Sequence, residues 1–195
     1  MNIAMARILT SRWLAAIMLA LAAVMLAPKP AGAQTDRRFF GTWKPASTSA
    51  GGLPLTVAPG RITSWNKDKL IWDERYEVIR DFGDHIVIRD WTVESSFDYP
   101  LNKSSLAILS VERHVYEDYR SYILGYDYCA SDQAHDYFFQ TSDKDEIWRR
   151  ILSWSARRRD RGFPFDECIL NEDGSKGEGD GWGGMGFSRL IPKGE

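Results

Sequence analysis

From Leu70 to Cys129 apolar residues keep returning at every second position, and this period of two constrains the fold more than any other feature of the chain. Leu70, Trp72, Tyr76 and Val78 form one such row, interrupted by Glu74. Ile86 to Val93 carries apolar residues on both faces, which predicts a strand near the centre of a sheet. Between these two runs, Asp81-Phe82-Gly83-Asp84 has the composition of a tight turn, so the pair reads as an antiparallel hairpin. Ala107, Leu109, Val111 and Val115 repeat the pattern, and Tyr122, Leu124, Tyr126 and Tyr128 then share one face of a further strand. Upstream, Phe39 to Trp43 and Arg61 to Trp65 read as strands separated by a long loop rich in Ser, Gly, Ala and Pro; downstream, Phe187 to Ile191 offers a closing strand. The chain is thus expected to be mainly β and antiparallel.

One helix stands out against this background. Ser142 with Asp145 three residues on resembles a capping box, and Asp143, Asp145 and Glu146 suit the positive end of a helix dipole. Ile147, Trp148, Ile151, Leu152 and Trp154 follow at helical spacing, and Arg157, Arg158, Arg159 and Arg161 crowd the negative end before Gly162 and Pro164. The arginine run is read as a solvated helix terminus. Residues 171 to 186 are expected to form a Gly-rich acidic loop.

The first 33 residues have the order of a cleaved secretory leader: Arg7 and Arg12, an apolar run from Trp13 to Ala27, then Pro28-Lys29-Pro30 and Ala31-Gly32-Ala33. Fifteen apolar residues ended by prolines fall short of the roughly 20 that a spanning helix requires, so no permanent membrane anchor is expected. The expectation is a protein folding in the periplasm or outside the cell, with one domain over residues 34–195. Without the leader, 22 basic side chains face 27 acidic ones, a balance that disfavours nucleic acid as a partner. Cys129 and Cys168 are the only cysteines, and in an oxidising compartment they are expected to pair.

No catalytic signature accompanies this architecture. His85, His114 and His135 are widely spaced, with no zinc pattern around them, and neither a cofactor motif nor an activated serine is present. Asn171, Asp173, Ser175, Glu178 and Asp180 have oxygen ligands suited to calcium, yet Lys176 stands where a helix-flanked calcium loop requires glycine and Trp182 where it requires the closing Glu. A carboxylate pair for hydrolysis is conceivable in principle, but no pair can be chosen from sequence.

At Gly41-Thr42-Trp43, followed by a long loop and a run of antiparallel strands, the chain resembles the lipocalin-like families of small β-barrels. The resemblance implies a single antiparallel β-barrel with one helix in its C-terminal half, in which Gly41 and Trp43 close one end and Arg189 packs on the tryptophan. The aromatic strand faces and the absence of a catalytic motif lead to the expectation of a bound ligand. Trp72, Tyr76, Trp91, Tyr122 and Tyr126 are the candidate lining residues, chosen for their aromatic strand positions. The expected function is non-enzymatic binding of a small hydrophobic or aromatic molecule. Two other classes stand beside it: an envelope protein-binding or inhibitor module using the acidic loop or the arginine helix end, and a hydrolase with two acids facing each other across a cleft.

Overall fold

Eight antiparallel strands follow one another in chain order around a closed barrel, as the alternating pattern and the resemblance lead one to expect. The computed structural model describes residues 38–45, 53–97, 100–115, 119–159, 167–178 and 181–192, all of them in the unit Gln34–Glu195. The expected leader, Asp180 of the acidic loop, and Arg161, Gly162 and Pro164 beyond the helix lie outside the described residues.

The strands are β1 (Gly41–Pro45), β2 (Leu55–Ala58), β3 (Arg61–Asn66), β4 (Lys69–Asp81), β5 (His85–Ser95), β6 (Ser104–Val115), β7 (Tyr119–Cys129) and β8 (Trp182–Pro192). Strand β8 pairs with both β7 and β1, which closes the circle. The helices are α1 (Asp132–Phe138) and α2 (Lys144–Arg159), both between β7 and β8.

Four local readings differ from the sequence expectation, each for a physical reason. β2 lies within what reads as loop, because four residues between Pro54 and Gly60 are too short to show a period, yet Leu55 and Val57 are buried. β8 starts at Trp182, not Phe187, so its glycines belong to a strand. A Cβ at Gly183 would stand 2.2 Å from the Tyr128 ring and one at Gly184 2.5 Å from an Asp127 carboxylate oxygen, so bulky side chains opposite leave room for no side chain there. Helix α1, concealed by its polar composition, is capped by Ser131, whose hydroxyl accepts from the Ala134 amide. For α2 the capping side chain is Asp143, whose Oδ1 accepts from the Glu146 amide at 2.9 Å, and not Ser142.

Two apolar clusters form on opposite faces of the sheet. Inside, Trp43, Leu55, Val57, Ile62, Tyr76, Ile86, Ile88, Leu109, Leu124 and Phe187 pack around the barrel axis. Outside, Val87, Leu106, Ile108 and Cys129 are covered by Ala134, Phe138, Ile147, Ile151 and Trp154 of the helices. The two-faced apolar pattern of β5 follows directly: Ile86 and Ile88 turn inward while Val87 turns to the helices. Cys129 and Cys168 are joined in a disulfide with Cα atoms 5.5 Å apart, fastening the end of β7 to the segment after α2. The arginines ending α2 also grip that segment. Arg158 bridges Glu167 at 2.9 Å, Arg159 donates to the Leu170 carbonyl and the Asn171 side chain, and Arg157 stacks 4.7 Å from the Tyr137 ring.

Candidate functional site

The base of the barrel interior is closed by local sequence. Trp43 is fully buried, and its indole N–H donates to the Phe39 carbonyl at 2.8 Å. The Arg189 guanidinium lies 4.4 Å from the Trp43 ring and donates to the Phe40 carbonyl at 3.0 Å. Gly41 adopts φ +120°, and a Cβ there would sit 2.7 Å from an Arg189 nitrogen, so glycine permits both the backbone conformation and the close approach. Tyr122 lies on the same side, 5.8 Å from Arg189.

Towards the opposite end the interior changes character. A cavity of about 420 Å³ is lined by Trp72, Tyr126, Tyr128 and Met185 on its apolar side and by Glu74, Thr92, Ser104 and Ser105 on its polar side, with Lys103, Asp132 and His135 completing the wall. β4 supplies Trp72 and Glu74, and the bulge between Asp73 and Glu74 shifts the β4–β5 register at this level. β7 supplies Tyr126 and Tyr128, and α1, which follows β7 after two residues of chain, supplies His135.

Half-buried Glu74 lines the cavity floor, and a second acid, Asp90, lies behind the lining residues Tyr126 and Ser105. Asp90 is 1 % exposed, and its Oδ2 accepts from the Tyr126 hydroxyl at 2.6 Å while its Oδ1 accepts from the Ser105 hydroxyl. Glu74 Oε2 lies 3.1 Å from the same tyrosine oxygen. One phenolic proton serves one of these two acids at a time. Burial, and then the charge of Asp90, push the Glu74 carboxyl up to about 8, while Tyr126 opposes and Asp73 adds to the rise. Asp90 is pushed up to about 6 by burial, against its hydrogen bonds from Ser105 and Tyr126. At neutral pH the pair therefore holds a proton on Glu74. Burial and both acids raise the Tyr126 phenol, which stays protonated.

Two further polar groups at this level lack partners among the described residues. The Trp72 indole N–H and the His135 Nε2 are buried and make no hydrogen bond. His135 is 5 % exposed, and burial holds its imidazole down to about 4, so it is neutral.

Of the five aromatic candidates, Trp72 and Tyr126 line the cavity. Tyr76 is buried in the inner core, and Tyr122 packs against that core beside Arg189. Trp91 follows inward-facing Asp90 and so lies on the outer face, with Arg89 stacked 6.0 Å from its ring. Glu74, Asp90, Ser105 and His135 are functional candidates that aromatic counting passes over. Their signal is present in the sequence: Glu74 breaks the inward row of Trp72 and Tyr76, and Asp90 continues the inward row of Ile86 and Ile88 with a charge.

In the loop after α2, Asp173 Oδ1 accepts from the amide and hydroxyl of Ser175, and Lys176 pairs with Asp127 at 2.8 Å. Among the described residues no three His, Cys, Asp or Glu side chains converge on a metal position. Comparisons of the chain with protein-family models, with curated proteins and with solved structures returned no match.

Proposed function

We propose that this is an exported, lipocalin-like binding protein that holds a small hydrophobic or aromatic molecule in the upper half of its barrel without transforming it. The observation that carries the reading is the cavity of about 420 Å³ walled by Trp72, Tyr126, Tyr128 and Met185, beside an inner core of buried apolar side chains. A chamber of this size suits a ligand of one or two rings, and the disulfide accords with an oxidising compartment. A hydrolase reading has less support. Glu74 and Asp90 are neighbours joined through one tyrosine on adjacent strands, whereas glycoside hydrolysis needs acids on opposite sides of a scissile bond.

The test is titration of the purified protein with 1,6-diphenylhexatriene, a neutral apolar fluorophore, together with mass spectrometry of compounds retained from membrane and periplasmic extracts. One site per chain, lost in Met185→Trp because the larger side chain fills the cavity, is the expected result. Absence of saturable binding, or binding unaffected by Met185→Trp, would contradict it.

A further inference from the structure

The cavity floor carries an imbalance of charge that its own residues do not correct. Glu74 and Asp90 are both inside the barrel, and neither forms an ion pair with a described lysine, arginine or histidine. Lys103, the cation on the cavity wall, is already 2.8 Å from Asp132. Buried carboxylates without a cation are costly, and chains normally pair them or replace them with apolar residues. An uncompensated pair with one member, Glu74, facing a cavity is therefore unexplained by the fold alone.

A second observation comes from another part of the cavity wall. His135 is 5 % exposed, comes from a different element, and leaves Nε2 without a partner among the described residues. A buried polar atom without a partner costs about 1–3 kcal/mol in general, and a ligand bearing a complementary group removes that cost.

From these two features we infer that the ligand is a small organic amine, its ammonium group seated on Glu74 with the Asp90 charge behind it, and its aromatic or apolar body against Trp72, Tyr126 and Met185. This rests on the chamber reading above. An ammonium donates charge-assisted hydrogen bonds to Glu74, the Asp90 charge behind Tyr126 adds to the attraction, and aromatic walls attract a cation as well as an apolar ring. A metal ion is a poorer fit, because two carboxylates and a phenol do not make the cluster of ligands that a bare cation needs.

Seating an ammonium ionises Glu74, so binding releases a proton when the empty site is protonated. The groups facing Glu74 are Asp90 and Tyr126 on the floor, Asp73 next to it on β4 and paired with Arg61, and Lys103, Asp132 and His135 on the remaining wall. With Lys103 and Asp132 engaged in one ion pair and His135 neutral, the floor acids govern the exchange.

Calorimetric titration with phenethylamine, against its neutral analogue 2-phenylethanol, tests the assignment, with 1,6-diphenylhexatriene as a probe of the chamber itself. Phenethylamine is expected to bind about tenfold or more tightly than the alcohol, since a charge-assisted hydrogen bond replaces a neutral one. Its apparent heat at pH 7 should differ between phosphate and Tris in the sense of proton release. In Glu74→Gln/Asp90→Asn the preference is expected to collapse while the fluorophore still binds. If the double substitution unfolds the barrel by circular dichroism, Glu74→Gln alone carries the same reading. Fluorophore binding without a preference for the amine overturns the amine assignment and leaves the chamber standing, as does a preference that survives the substitution. Binding of none of the three probes overturns both.

Discussion

At its base the barrel buries Trp43 beneath Arg189, with the indole N–H bonded to Phe39 and the guanidinium bonded to Phe40. In its upper half β4, β5 and β7 gather Glu74 and Asp90 around one tyrosine hydroxyl and leave a hollow beside them. The base is packed with apolar side chains, with the Trp43 N–H and one Arg189 nitrogen partnered and Arg189 Nε left over; the upper half has open volume, two raised carboxyls and two unpartnered ring nitrogens. Stability is thus concentrated at one end and chemical opportunity at the other. A fold closed by hydrogen bonding around its whole circumference tolerates this division, because no sheet edge depends on how the interior is filled.

The largest effect that separates the two halves belongs to Trp43→Ala. Removing a fully buried tryptophan is expected to cost about 3–5 kcal/mol, a fall in Tm of roughly 10 °C by thermal unfolding. Next comes the clasp beneath α1. Cys129→Ala/Cys168→Ala opens a link across 39 residues and should cost about 3–4 kcal/mol, measured by urea titration. Because the bond fastens the end of β7 that carries α1, it is also expected to weaken 1,6-diphenylhexatriene binding, whereas Trp43→Ala acts on stability first.

The pH dependence of stability is a smaller effect, and it isolates the upper half. Glu74 and Asp90 hold protons more tightly in the folded state than in the unfolded chain, where carboxyls titrate near about 4. The stability they contribute is complete below that pH and is lost as pH rises through about 6 and then about 8. His135 works in the opposite sense: held down to about 4 when folded, it contributes stability above about 6.5 that is lost as pH falls towards 4. From about pH 6.5 to 9 the acids act alone, so Tm should decline across that interval, and Glu74→Gln should flatten the decline. An equally steep decline in the variant would break the contrast between the halves. The smallest effect is that of Trp72→Phe, which should change stability by about 1 kcal/mol or less while weakening the fluorophore several-fold, since this ring borders open volume.

Much of this was readable from the chain itself, and the missing parts have identifiable causes. Period-two rows located β4 to β7 because their inner residues meet an apolar core, and Gly41, Trp43 and Arg189 meet at the base. β2 and the first half of β8 escaped because short or glycine-rich strands carry too few apolar side chains to show a period. The acid pair escaped for a different reason: a charge inside a strand pattern reads as an outward residue until the register places it. Trp91 shows the converse, an aromatic that pattern alone could not assign to the inner or outer face.

The most direct test is a carboxyl carbon NMR titration of Glu74 in the empty protein and in the presence of saturating phenethylamine. The account expects Glu74 to titrate near about 8 when empty and to fall into the ordinary carboxylate range when the amine is bound. A Glu74 that titrates near 4 in both states would contradict it, because the upper half of the barrel would then hold no uncompensated acid for a ligand to meet.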